Sequence, residues 1–276
     1  MYGEQFRGRL WRLVKEPPCR LLAKHFFKSI RAAASTRAYW DASDRPAYLL
    51  GLDFAAYQAR CEEKRAISVL EFGVAGGQSL VVMEREAAAV SRESGVAISV
   101  FGFDNASGLP SLIGDHRDHP DIWQPGDYPM DEAALRARLD PATRLELGNV
   151  AETLPRFLDD ESLPPIGFIA FDLDLYSSTS SALAILNSPR TRALRRLPLV
   201  FDDDVHFWSN PLAGELLAIS EFNSYSDRIK IFPWRGLADR PFPEAAYLEK
   251  MYMAHDLPAI SQMTRDGPVA RLDLER

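Results

Sequence analysis

Apolar and polar residues change their rhythm near residue 65. Before it the apolar positions recur at helical spacing, with breaks at Pro17-Pro18 and around Asp41–Pro46, which predicts a set of helices. After it, short apolar runs alternate with helical stretches, the grammar of a mostly parallel sheet covered by helices. Strands are predicted at Ile67–Phe72, Ile98–Phe103, Arg144–Leu147, Phe168–Phe171 and Leu199–Phe201. Helices are predicted at Ser79–Glu93, Asp131–Leu139, Ala151–Leu158, Thr179–Leu186 and Gly214–Phe222. Two later apolar stretches, Ile229–Phe232 and Met251–Met253, are expected to add edge strands. The pattern therefore predicts one doubly wound α/β domain over residues 66–276, preceded by a helical cap or lid segment over residues 1–65. One stretch breaks the alternation: about residues 105–130 are rich in Pro, Gly, Asp and His and include Trp123 and Tyr128. A loop that long in a compact domain is a functional lid or is disordered.

Composition narrows the class without changing the fold. At 276 residues the chain can bury one sizeable core, and 46% apolar with 26% charged residues is ordinary for a soluble globular protein. A net charge of −7 argues against nucleic acid as a partner. That charge is uneven, since residues 1–40 hold nine Lys/Arg against Glu4 and Glu16, which leaves −14 for the remainder. The basic start is read as a helix with a solvated charged face or one packed on the acidic body, ahead of a membrane or acidic-partner contact. The N-terminal helices are also where a dimer contact would fall. Cys19 and Cys61 fit no metal or redox spacing and point to a reducing compartment. No apolar run approaches the roughly 18 residues of a membrane span, and a signal-peptide pattern is lacking, so a cytoplasmic location is expected.

Three constellations carry candidate chemistry. The first is Glu71-Phe-Gly-Val-Ala-Gly-Gly77, at the end of the first predicted strand. Glycines let the backbone turn sharply against a ligand, and the following helix presents free N–H groups. Read as a dinucleotide fingerprint starting at Gly73, its second glycine falls on Ala75 and its third on Gln78. A carboxylate just ahead of the loop suits a cationic, phosphate-free cofactor better than a pyrophosphate. The second is Asp104, at the tip of the next strand, where an acid can accept both hydroxyl protons of a ribose.

The third constellation is a set of acids after two further strands, Asp172-Leu-Asp174 and Asp202-Asp-Asp204. Along an extended chain Asp172 and Asp174 would point the same way. Carboxylates gathered at one edge of a parallel sheet repel one another unless a cation sits among them, and oxygen-only ligands select Mg²⁺, Ca²⁺ or Mn²⁺. Asp runs also serve as solvated helix caps, which accounts for one cluster more readily than for two. His206 and Trp208 follow the second cluster and could line the same crevice, while His116, His119 and Trp123 sit in the long loop.

With these residues in view, the chain from about Ile67 to Asp204 resembles the macrocin O-methyltransferase family of class I, Rossmann-like methyltransferases. Glu71–Gly77 is similar to that family's cofactor loop, and Asp104-Asn-Ala-Ser-Gly-Leu-Pro110 to its D-S-F-E-G-L-P segment, with three departures. Gly148-Asn-Val-Ala-Glu-Thr-Leu-Pro155 matches its G-x-x-x-[DE]-T-L-P turn. Asp172-Leu-Asp-Leu-Tyr-Ser-Ser-Thr179 resembles D-G-D-L-Y-E-S-T, and Asp202-Asp203 its paired acids. The resemblance implies methyl transfer from S-adenosylmethionine to a hydroxyl, typically on a sugar of an antibiotic, assisted by Mg²⁺ or another divalent cation. By position it implies Glu71, Gly73, Val74, Gly77 and Ser79 along the cofactor, with Asp104 on its ribose and Asn149 near its adenine. Asp172 would border the cofactor and hold the metal with Asp202 and Asp203, and Asp174 would be the general base. The family's glycine between the paired acids is Leu173 here, and Asp204 extends the second pair, so the ligand assignment stays open by one residue.

Other readings remain on the sequence alone. They are a metal-independent methyltransferase with His206 as base, a nicotinamide-dependent oxidoreductase, and a non-catalytic binding module.

Overall fold

The computed structural model describes residues 16–203 and 206–262. Asp204, the basic residues Arg7, Arg9, Arg12 and Lys15, and Glu4 lie outside the described residues.

Seven strands form one sheet in the order β3-β2-β1-β4-β5-β7-β6. They are β1 (Ala66–Phe72), β2 (Ala97–Asp104), β3 (Arg144–Leu147), β4 (Ile166–Phe171), β5 (Arg196–Phe201), β6 (Ile229–Pro233) and β7 (Met251–Asp256). The first five are parallel, as their near-continuous apolar runs require of strands covered on both faces. β7 runs antiparallel to both β5 and β6. The expectation of two edge strands is corrected in one respect. β6 is an edge, whereas β7 lies between β5 and β6, with Met251–Ala254 buried.

The helices are α1 (Cys19–Ser29), α2 (Ala34–Tyr39), α3 (Pro46–Cys61), α4 (Gln78–Ser94), α5 (Glu132–Arg136), α6 (Val150–Leu158), α7 (Tyr176–Asn187), α8 (Gly214–Tyr225) and α9 (Leu257–Ser261). α2, α3 and α4 cover one face, where Ile67, Val69, Phe168, Ala170 and Val200 point. α6, α7 and α8 cover the other, meeting Leu70, Phe101, Ile169 and Leu199. α3 starts at a proline in its first turn and buries nearly its whole circumference, as a helix apolar all round must. α1 packs Ala23 and Phe27 on Trp40, Ala42 and Phe242, and leaves Leu22, Phe26 and Ile30 exposed. Among the described residues no helix is long and apolar enough to cross a membrane, and Cys19 and Cys61 are both free and exposed.

The strand ends position the site. Phe72 pairs in register with Phe103 on one side and Phe171 on the other, and Phe171 with Phe201. Their rings stack at 4.7–5.4 Å, and Tyr252 meets Phe201 edge-on at 5.2 Å. This aromatic floor is buried. The residue after each phenylalanine, Gly73, Asp104, Asp172 or Asp202, therefore arrives at one edge of the sheet.

Candidate active site

Above that edge lies a cavity of about 660 Å³. It gathers Gly73, Val74, Gly77, Ser79, Asp104, Asn149, Asp172, Asp174, Asp202, Asp203 and His206, residues that the sequence spreads over more than 130 positions. Glu71 does not line it. It points toward α3 and is fully buried, and neither of its carboxyl oxygens has a hydrogen-bond partner among the described residues. Burial and the nearby Asp172 raise its pKa well above the usual carboxylate range.

The glycine loop is held by geometry that side chains would prevent. Gly73 sits at φ +84°, and a Cβ there would overlap the carbonyl oxygen of Asp172. Asp104 braces the loop. Its Oδ2 accepts the N–H groups of Val74 and Ala75, both at 2.8 Å, and its Oδ1 accepts that of Ala106 at 2.6 Å. The amides that a phosphate-binding turn would offer are thus already taken by a carboxylate. The first turn of α4 has no side-chain cap, so the N–H groups that open a helix remain available there. Arg138 stands beside it, 2.9 Å from Gln78 Oε1. Asn149 caps α6 by accepting Ala151 N–H at 2.9 Å.

The acids do not lie along an extended chain as expected. β4 ends at Phe171, and Asp174 adopts the left-handed conformation (φ +54°) in a tight turn where Leu175 N–H reaches Leu173 carbonyl. Aspartate tolerates that conformation better than most residues. The strain therefore falls on Asp174, and position 173 does not require glycine. Asp172 is raised to about 7 by burial and by the charges of Asp202 and Asp203. Asp174 is also raised, first by burial, then by Asp203, to which it is hydrogen-bonded. A carboxyl held protonated in this way can donate to its neighbour. Oδ2 of Asp203, buried and otherwise without a partner, is the acceptor such a proton needs. His206 Nε2 lies 3.3 Å from the other oxygen of Asp203.

Around this cluster stands an aromatic wall. Trp123 contacts Tyr128 at 6.0 Å and Trp208 at 5.8 Å, and the His206 ring stacks on Trp208 at 4.5 Å. The long loop lines the cavity through Leu109, Ile113, Trp123 and Tyr128. The clasp is Asp118, fully buried, which accepts from Ile113 N–H, Ser177 N–H and Ser177 Oγ, each at 2.9 Å. His116 and His119 do not reach the cavity. Asp118 was missed from sequence because a lone Asp in a polar loop carries no distinguishing signal. Asp118→Ala strands three donors, at a cost of about 1–3 kcal/mol each if they stay buried. It is expected to speed proteolytic cleavage within 105–130 and weaken ligand binding roughly tenfold, checked by limited proteolysis and calorimetry.

Two cations were also missed. Lys250 Nζ donates to Asp202 through its carbonyl oxygen and, at 3.1 Å, its Oδ1, while Arg45 Nη1 stands 3.9 Å from the same Oδ1. The metal set that the resemblance implies, Asp172, Asp202 and Asp203, does not fit an ion in this arrangement, because Asp202 is engaged by an ammonium group. Among the described residues no three His, Cys, Asp or Glu side chains converge as a metal-holding group.

No protein-family model and no curated protein matches the chain. Among solved structures it is similar to the calicheamicin methyltransferase CalS11, with 21% identity, 75% of this chain and 77% of that one covered, and a TM-score of 0.52. It is also similar to the O-methyltransferase NovP, with 18% identity over 64% and 72% of the two chains and a TM-score of 0.46. The likeness to CalS11 is one of fold, a Rossmann-like, mostly parallel sheet covered by helices.

Proposed function

We propose that the protein is an S-adenosylmethionine-dependent O-methyltransferase acting on a hydroxyl of a sugar or another diol-bearing small molecule. The observation that carries this reading is the charge of the crevice. Carboxyl groups of Asp104, Asp172, Asp174 and Asp203 face one cavity, and Asp104 occupies the loop amides that would cradle a phosphate. A dinucleotide pyrophosphate would meet the Asp104 carboxylate at the Val74 and Ala75 amides. A cofactor with sulfonium and ammonium charges and no phosphate is attracted instead. A mere binding module has no need to hold like charges together.

In this reading Asp172 lies toward the cofactor's cationic end, with Gly73, Val74 and Gly77 along it, while Glu71 stays buried behind the loop. The open first turn of α4, at Gln78 and Ser79, receives its carboxylate. Asp104 borders the ribose and Asn149 the adenine. Bound there, the cofactor supplies an already activated methyl group, so the chain's task is chiefly alignment. The Asp174–Asp203 pair, holding one proton between two carboxylates, keeps a basic oxygen to take the proton of the acceptor hydroxyl. His206 extends the pair toward the cavity mouth and gives that proton a way out. Trp123, Tyr128 and Trp208 offer faces for a sugar ring. Magnesium assistance forms no part of the proposal, since Asp202 is held by Lys250.

Calorimetry tests the reading. S-adenosylhomocysteine is expected to bind saturably and NAD not at all. Absence of S-adenosylhomocysteine binding, or binding of NAD in its place, overturns it.

A further inference from the structure

Lys250 reaches the crevice through the topology of the sheet. β7 runs antiparallel to β5, so the residue just ahead of it stands beside the residue that closes β5. Phe201 N–H donates to the carbonyl of Lys250 at 3.0 Å, which fixes this backbone at the edge where the acids emerge. From there the four-carbon stem delivers Nζ to Asp202, bonding both its carbonyl oxygen and its Oδ1, with only 15% of the side chain exposed. Arg45, from the turn ahead of α3, approaches the same Oδ1 from the other end of the sequence. Two cations from segments about 200 residues apart thus converge on one carboxylate oxygen. Both also oppose the rise that burial and neighbouring acids impose on Asp172.

A divalent ion bound through Asp202 would compete with the ammonium group for Oδ1 and would be repelled by it. We propose that Lys250 is the resident cation of this crevice, a positioning residue that holds Asp202 in place of a divalent metal. The role in methyl transfer rests on the function proposed above, whereas the exclusion of metal by Lys250 does not. Lys250 offsets part of the charge that Asp202 adds to the Asp172, Asp174 and Asp203 group. Asp202 then orients the backbone on which Asp203 sits, and Asp203 is hydrogen-bonded to Asp174.

The test is a titration of MgCl₂ into the intact protein, read by calorimetry and by thermal melting. The wild type is expected to give no saturable heat and no shift in Tm. Lys250→Met, which keeps the stem and removes the charge, is expected to gain saturable Mg²⁺ binding and a rise in Tm on adding Mg²⁺. Lys250→Arg should behave as the wild type. A salt bridge with a merely structural role would lower Tm when broken but would not open a metal site. Saturable Mg²⁺ binding by the wild type, or by neither protein, overturns the proposal. If Lys250→Met fails to fold, Lys250→Gln carries the same comparison. S-adenosylhomocysteine binding is measured separately on each protein. Its failure with the Mg²⁺ pattern intact removes the methyltransferase reading and leaves the cation assignment standing.

Discussion

Gly73→Ala is expected to lower S-adenosylhomocysteine affinity at least about 100-fold and to reduce Tm by roughly 5–10 °C. The argument has two parts. At φ +84° an L-residue costs about 1–2 kcal/mol relative to glycine. The added methyl would also overlap the carbonyl oxygen of Asp172, a backbone atom with no rotamer to escape into. Relief requires the ends of β1 and β4 to part. These ends are tied by Asp172 N–H to Phe72 carbonyl at 2.8 Å and stand on the stacked rings of Phe72 and Phe171. Parting them moves the glycine loop and Asp172 together, on the two sides of the proposed cofactor position. Gly76→Ala is the control. A Cβ there meets nothing within 4 Å and the backbone is unstrained, so folding stability should change by no more than about 0.5 kcal/mol. Calorimetry and thermal melts of both variants check the prediction. Unchanged affinity in Gly73→Ala would remove the loop from the cofactor site.

What the sequence made legible follows from where the chain stores its information. β1, β2, β4 and β5 are buried on both faces, so each reads as an apolar run ending in phenylalanine, and the polar residue that follows marks the ligand edge. Parallel register then brings Gly73, Asp104, Asp172 and Asp202 together without further instruction. The place of β7 was not legible, because the apolar run Met251–Ala254 says that it is buried, not between which neighbours. Lys250 and Arg45 were invisible for a related reason. Each is one cation among 32, and its acid partner is 48 or 157 positions away. The turn at Asp174 was misread as extended because a left-handed aspartate has no signature beyond its tolerance for the conformation. A cation among the acids was suggested by charge crowding and its ligand set by the resemblance, and neither signals a lysine brought to Asp202 from just ahead of a late strand.

Asp174→Asn is expected to make the protein more stable while nearly silencing it. The carboxyl of Asp174 is raised by burial and by Asp203, so it is more protonated in the folded chain than in the unfolded one. For an acid shifted in this direction the sign is fixed. The folded state binds more protons, so stability falls as pH rises from the ordinary carboxylate range through neutrality. Asparagine has the same shape, no titration, and an N–H₂ group that can donate to the orphaned Oδ2 of Asp203. Relative to the wild type, the variant should therefore gain several degrees in Tm near about pH 8 and much less near about pH 5, where little of the penalty has accrued. Catalysis moves the other way. Removing the pair's open basic oxygen leaves the acceptor hydroxyl without a group to take its proton, and general-base catalysis contributes about 10²–10⁴-fold. Single-turnover methylation should fall by about that factor, while S-adenosylhomocysteine affinity changes less than about threefold, because the proposed function sets Asp174 against the acceptor and not the cofactor. The two readouts separate the roles. Full turnover would remove Asp174 as base, and a Tm gain that does not widen with pH would mean that the carboxyl is not held protonated in the folded chain.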